Sequence, residues 1–252
     1  MEPTRCPATD ELPPDSIELE NRRFYDPLWR HARLYDGDRF NTWALIRPHV
    51  EGGSRRLEIG PGLRPRLPVS GTTFVDLSPV AVERLRKEGA TVHESGADSI
   101  PIKDGSMDLV GAFDVIEHVT DDQAVFDEIS RVLRPGGSFF LSVPLHADAW
   151  SDFDRIVGHC RRYDPVQLEQ QLCDSGFEVL RSAPYGLRHE SNRFACFGLW
   201  FLRKFPAFSM WCYNNFYFPI VVRKQEPLQV HDGMINDPSI DELVIECRKR
   251  DE

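Results

Sequence analysis

Two short apolar runs in this chain end in residues able to hold a nucleoside. Arg56-Leu57-Glu58-Ile59 leads into Gly60-Pro61-Gly62, and Thr73-Phe74-Val75 leads into a lone acid, Asp76. Glycines let a ligand approach the backbone, and one carboxylate ending the neighbouring strand can accept both hydroxyls of a ribose. A tight turn with no ligand satisfies the glycine pattern equally well, so its weight depends on the rest of the chain. Small or polar residues recur after the later apolar runs: Gly96, Ala97 and Asp98, then Asp114, Val115, Glu117 and His118, then Pro144 to His146. In an open α/β sheet such positions converge at the carboxyl ends of the strands.

Positioning them takes alternating strands and helices. Residues 17–50 carry Phe24, Tyr25, Trp29, Tyr35, Phe40 and Trp43 at helical spacing, which predicts two helices before the first strand. Strands are expected at 56–59, 73–76, 90–93, 107–113, 138–143, 177–180 and 243–247. Ser78-Pro79 opens a helix that Gly89 stops, and Asp164-Pro165 opens another. Thr120 with Gln123 reads as a capping box ahead of an apolar face of Val125, Ile129, Val132 and Leu133. The alternation predicts an α/β, doubly wound parallel sheet of seven strands. The crossover after Gly62 holds Pro65, Pro68 and Gly71, so at most a turn or so of helix is expected there. The chain accordingly divides into a disordered leader at 1–16, a helical cap at 17–50, a core at 51–184, an aromatic-rich insertion at 185–241 and a last strand within 242–252.

The chain has 252 residues and a net charge of -10, from 30 basic and 40 acidic side chains. That balance argues against general binding to nucleic acid or an anionic membrane, although Arg161 and Arg162 form a local basic pair. The six cysteines are scattered with no Cys-x-x-Cys pair, which suggests a reduced, cytoplasmic setting rather than disulfides or a zinc site, and no metal is assigned. No apolar segment reaches twenty residues, so no transmembrane helix is expected. Residues 205–222 are uncharged and aromatic, between Lys204 and Arg223. They are expected to pack over the domain as a lid or extra layer, with a membrane-interface or partner-binding face as the alternatives.

The motif series Leu57-Glu58-Ile59-Gly60-Pro61-Gly62, Phe74-Val75-Asp76-Leu77-Ser78, Asp104-Gly105-Ser106-Met107-Asp108-Leu109-Val110, Phe113-Asp114-Val115-Ile116-Glu117-His118-Val119 and Leu133-Arg134-Pro135-Gly136-Gly137 resembles the class I S-adenosylmethionine-dependent methyltransferases. It is most similar to the small-molecule branch that includes the ubiquinone and menaquinone biosynthesis enzymes. The resemblance covers residues 56–180 plus the final strand and implies a Rossmann-like fold with S-adenosyl-L-methionine as cofactor.

It also implies roles. The backbone of Gly60, Pro61 and Gly62 would approach the methionine part of the cofactor, with Glu58 holding the turn or its ligand-side water. Asp76 would accept the ribose hydroxyls, Leu77 would pack on the adenine, and Ala97 would offer its backbone to the adenine edge. Asp114 and Val115 would line the methyl-bearing side, and Tyr25 would either close over the methionine carboxylate or serve as a core aromatic. The chain departs from the family pattern at three places. Arg64 stands where a third small residue is common, Gly96 stands where an acid is common (Asp98 could substitute), and the first crossover is irregular. Arg64 or Arg66 could therefore pair with the cofactor carboxylate in place of a helix terminus.

Methyl transfer to a hydroxyl also needs a proton acceptor near neutrality. His118 and His159 are the catalytic candidates and His146 a third, each of which could instead orient its own loop. The resulting reading is O-methylation of a small molecule, hydrophobic or acidic, by in-line displacement. The alternatives are a noncatalytic S-adenosylmethionine-binding or partner subunit and, less supported, a nicotinamide-dependent oxidoreductase.

Overall fold

A computed structural model of the chain describes residues 14–51, 54–185 and 193–251. The leader expected at 1–16 falls mostly outside them, and helix α1 (Pro14–Trp29) already begins at Pro14. Eight strands form one sheet: β1 (Arg56–Ile59), β2 (Thr72–Asp76), β3 (Thr91–Glu94), β4 (Met107–Phe113), β5 (Leu133–Pro144), β6 (Phe177–Pro184), β7 (His231–Asp232) and β8 (Glu242–Lys249). Their order is β3-β2-β1-β4-β5-β8-β6-β7.

Two expectations need correcting. Among the described residues the sheet has eight strands rather than seven, because the two-residue β7 pairs with Arg181 and Ser182 at the edge. Nor is it wholly parallel, since β8 runs antiparallel to both β5 and β6.

Parallel strands buried on both faces need apolar cover on each side. Leu57, Ile59, Val75 and Val110 pack with Val125, Phe126 and Ile129 of α4 (Asp122–Val132) and Leu168 and Leu172 of α6 (Pro165–Asp174). On the other face Phe74 packs with Val82 and Leu85 of α3 (Pro79–Lys87) and Leu28 of α1. Leu109 and Phe140 pack with Leu45 and Ile46 of α2 (Trp43–Val50). Helix α3 starts as the sequence suggests, the Ser78 side chain accepting from the Ala81 N–H. Helix α4 does not: Asp121, not Thr120, is its cap, accepting from the Ala124 N–H.

No helix forms between β1 and β2. That crossover is held from within instead. Leu63 and Leu67 are fully buried, and the buried Glu58 carboxylate accepts the backbone N–H groups of Arg66 and Leu67, both at 2.8 Å.

The insertion contains α7 (Arg193–Lys204), α8 (Pro206–Cys212), a π-helical turn at Tyr213–Tyr217 and α9 (Phe218–Lys224). It packs on the N-terminal segment. Asn214 donates to the His31 carbonyl at 2.9 Å and accepts from the Arg33 N–H at 3.2 Å, while Phe218 lies on Tyr35 with ring centroids 3.9 Å apart. Its outer side leaves Trp200, Phe208, Trp211, Phe216 and Ile220 exposed. Among the described residues no helix is long and apolar enough to cross a membrane.

Candidate active site

The strand order reverses around β1, which lies between β2 and β4, and a ligand crevice is expected at such a switch point. A cleft of about 460 Å³ opens there, within the size range of small-molecule sites. Tyr25, Gly60, Pro61, Gly62, Arg64, Asp76, Leu77, Ala97, Asp98, Asp114, Val115 and His118 all line it. Glu58 and His159 do not. Glu58 lies beneath the crossover loop, bonded to its backbone, and burial pushes its carboxyl up to about 7. Among the described residues, none that lines the cleft comes from the insertion.

The glycine turn is shaped by its neighbours. Gly60 (φ 61°) and Gly62 (φ 52°) lie in the left-handed region, where a side chain costs roughly 1–2 kcal/mol. A Cβ at Gly60 would also run into Val115, and one at Gly62 into the Trp29 indole. Asp76 closes the turn from the adjacent strand: its carboxylate accepts the Gly62 N–H at 2.9 Å and the Ser78 N–H at 2.8 Å. Burial pushes this carboxyl up to about 6, against the two backbone hydrogen bonds.

The far end of the cleft is acidic and aromatic. Asp114 directly follows β4 with φ 54°, an unusual angle for a residue with a side chain. Its carboxylate accepts from the Ser142 hydroxyl at 2.5 Å and lies 3.9 Å from the Arg66 guanidinium. Tyr25 stacks on Trp29 at 5.7 Å and meets the His118 ring edge-on at 5.8 Å. Burial, then the charges of Glu117 and Asp114, raises the Tyr25 phenol well above its ordinary value.

Both arginines of the crossover reach the cleft. The Arg64 guanidinium lies over Tyr35 and Tyr213, each at 4.9 Å, and donates to the Leu63 carbonyl at 2.8 Å. Arg66 donates to the Tyr185 hydroxyl at 2.7 Å and lies over the Phe40 ring at 3.9 Å.

His118 ends the 3-10 turn Ile116–His118. Its Nδ1 meets the Gly158 carbonyl at 3.1 Å, and burial with the neighbouring His159 pushes its pKa down to about 3. The ring is therefore neutral near pH 7 and weakly basic. His159 stands behind it, the ring centroids 4.7 Å apart. The His159 Nδ1 is 2.8 Å from Asp154, which also accepts from Arg162 at 2.9 Å. Burial opposes the Asp154 charge, but the bonds from His159, Arg162 and Ser151 hold its pKa well below the ordinary value. Glu117, buried in the same turn as His118, is raised well above the carboxylate range by burial and then by Asp114.

The remaining candidates are placed elsewhere. His146 turns outward, its Nε2 3.1 Å from the Asp237 carbonyl. Arg162 is a buried structural cation between Asp154 and Asp241, and Arg161 pairs with Asp122. Neither arginine lines the cleft.

Some residues at the site were not signalled by the sequence. Asn21 and Trp29 line the cleft from α1; the aromatic spacing marks Trp29 only as part of a packed face and gives no sign of Asn21. Asp154 supports His159 from helix α5 (Asp152–Val157), five residues before it, whereas the Glu117–His159 approach joins segments about forty residues apart that no local pattern announces. The expectation of no metal rested on cysteine spacing. Yet the structure brings Glu117, His118 and His159 together as a group whose ligand atoms lie within 4.8 Å of one another.

Comparison with known proteins bears on the family. Residues 59–141 match the family model of a methyltransferase domain. A protein of Mycolicibacterium smegmatis named "Probable S-adenosylmethionine-dependent methyltransferase" is 34% identical over 106 residues, 41% of this chain and 41% of that protein. The dimethylglycine N-methyltransferase of Parasynechococcus marenigrum is 43% identical over 58 residues, 23% of this chain and 21% of that one. The chain thus spans about half or less of the length of the curated relatives it matches.

Among solved structures, a SAM-dependent methyltransferase from Thermotoga maritima superimposes with TM-score 0.58 at 18% identity, over 93% of this chain and 100% of that one. The [4+2]-cyclase SpnF does so with TM-score 0.58 at 19% identity, over 95% of each chain. Likeness at this identity speaks to the fold, and a fold alone does not fix a reaction. The matched model, the relatives and the switch-point cleft agree: residues 59–141 are similar to a methyltransferase domain, set in a fold shared with a solved SAM-dependent methyltransferase.

Proposed function

We propose that this chain transfers a methyl group from S-adenosylmethionine to a small-molecule acceptor, at oxygen. The observation that carries the reading is a single cleft joining a nucleoside end, at Gly60–Gly62, Asp76 and Ala97, to an acidic and aromatic end at Tyr25, Asp114 and His118. The residues present fit the cofactor. The glycine turn leaves its backbone approachable, and each Asp76 oxygen keeps a lone pair after accepting one backbone N–H.

When bound, S-adenosylmethionine supplies an electrophilic methyl on a positively charged sulfonium. This chain's part is to bind, orient and exclude water. Asp76 accepts the ribose hydroxyls, and Leu77 and Ala97 flank the base. Asp114 and the faces of Tyr25 and Trp29 offer negative charge and π density to a cation. Arg64 or Arg66 receives the amino-acid carboxylate. The neutral His118 ring on the cleft wall can orient an acceptor hydroxyl by accepting its hydrogen bond, but it is too weak a base to take the proton, which passes to solvent.

Methyl-labelled S-adenosylmethionine offered with phenols, carboxylic acids and amines tests this. Label in ethers or esters is expected. Label confined to amines would overturn the choice of oxygen. S-adenosylhomocysteine binding without any transfer would favour the noncatalytic alternative.

A further inference from the structure

We propose that Glu117, His118 and His159 form a binding site for one divalent first-row transition-metal ion on the wall of the cleft. The three side chains each present one ligand atom, and these lie within 4.8 Å of one another. An ion about 2.0–2.2 Å from each needs tetrahedral ligand atoms roughly 3.3–3.6 Å apart, so the set closes by up to about 1.5 Å on binding, through rotation of the Glu117 carboxylate and the two rings.

Three further features distinguish this cluster from a chance group of polar residues. First, both rings are oriented from behind. The His118 Nδ1 meets the Gly158 carbonyl at 3.1 Å, and the His159 Nδ1 meets the Asp154 carboxylate at 2.8 Å. A carbonyl can only accept, so Nδ1 of His118 carries the proton and Nε2 keeps its lone pair. Asp154 does the same for His159, whose Nε2 points toward Glu117 at 3.8 Å from Oε1. Carbonyl and carboxylate partners on the outer ring nitrogen are the usual supports of metal-binding histidines.

Second, the support is rigid. Asp154 also accepts from the Ser151 hydroxyl at 2.8 Å and from Arg162, which is fixed in turn by Asp241. Third, Glu117 is 1% exposed and its Oε2 has no hydrogen-bond partner. A buried carboxylate oxygen with nothing to bind is costly, and an ion supplies what it lacks.

Two imidazoles and one carboxylate suit iron, cobalt, zinc or manganese better than magnesium or calcium, which prefer all-oxygen shells. His118 lines the cleft, so the remaining coordination positions open toward an acceptor. This role rests on the oxygen-methylation reading. A hydroxyl at the open position loses its proton to solvent more readily. Its oxygen lone pair then forms the new O–CH3 bond as the S–CH3 bond breaks, leaving a neutral thioether.

The test uses the full chain, stripped with a chelator and titrated with Co2+ while visible absorption is followed. S-adenosylhomocysteine binding is measured in parallel by calorimetry. One Co2+ per chain is expected. Glu117→Gln and His159→Ala should each weaken Co2+ binding by at least about 100-fold, beyond the 10- to 100-fold typical of losing an outer-shell support, with S-adenosylhomocysteine affinity retained as evidence of folding. Absence of a cobalt spectrum, or equal cobalt affinity in both folded variants, would overturn the site while leaving the methyltransferase reading standing. Cobalt bound as expected in a chain that does not bind S-adenosylhomocysteine would support the site and sink that reading instead.

Discussion

The Asp76 carboxylate accepts the backbone N–H of Gly62 at 2.9 Å, so the acid that ends β2 also fixes the glycine turn after β1. One side chain therefore shapes the turn and presents the ribose acceptor. Asp76→Ala should lower S-adenosylhomocysteine affinity by at least about 100-fold, as expected for losing two hydrogen bonds to a charged group worth roughly 1.5–3 kcal/mol each. Asp76→Asn should lose less, because one acceptor oxygen survives. Calorimetry on folded variants checks both, and equal affinities across the series would contradict the assignment.

The same carboxyl sets a pH dependence. Burial pushes it up to about 6, and ribose hydroxyls bind its charged form. Cofactor affinity should be level above pH 7 and fall as pH drops through about 6, and Asp76→Asn should abolish that fall. Folding linkage has the opposite sign. The stability contributed by protonated Asp76 is fully present below the ordinary value of 3.8 and is lost as pH rises through about 6.

Gly60 is constrained twice, by φ 61° and by Val115 against its face. Gly60→Ala should cost at least about 1–2 kcal/mol of stability and reduce cofactor affinity more than tenfold by moving the turn. Val115→Ala relieves the contact but not the backbone angle, so the double variant should recover only part of the loss. Full recovery would mean the backbone angle is unimportant.

Glu58 stabilises the crossover that lacks a helix. Glu58→Gln turns one acceptor into a donor facing a backbone N–H of Arg66 or Leu67. An unsatisfied buried group of this kind costs about 1–3 kcal/mol, which for a chain of this size lowers Tm by roughly 3–10 °C. An unchanged thermal transition would show that the loop is held by Leu63 and Leu67 alone.

The two crossover arginines give a sharper test of the amino-acid end. Arg64→Ala or Arg66→Ala should weaken S-adenosylmethionine binding about tenfold or more, the effect of one charge-assisted pair. If neither does, the cofactor carboxylate is held elsewhere.

Legibility in the sequence followed locality. Gly60, Gly62 and Asp76 were readable because each lies at or just past a strand end, and strand ends at a switch point converge whatever the rest of the chain does. The irregular first crossover was readable from Pro65, Pro68 and Gly71. The two-residue β7 was not: His231 and Asp232 are exposed and lack the alternation that marks a strand. The antiparallel course of β8 depends on the path of the insertion, which residue type does not encode. His159 was visible as a histidine and Asp154 lies five residues before it, but their approach to Glu117 and His118 depends on two segments about forty residues apart meeting in space.

The most direct test of the central claim is calorimetric titration of the purified chain with S-adenosylmethionine, S-adenosylhomocysteine and NAD, with Asp76→Ala in parallel. The account predicts that both sulfur nucleosides bind, that NAD does not, and that the substitution removes the binding. A folded chain that binds NAD, or neither sulfur nucleoside, would contradict it.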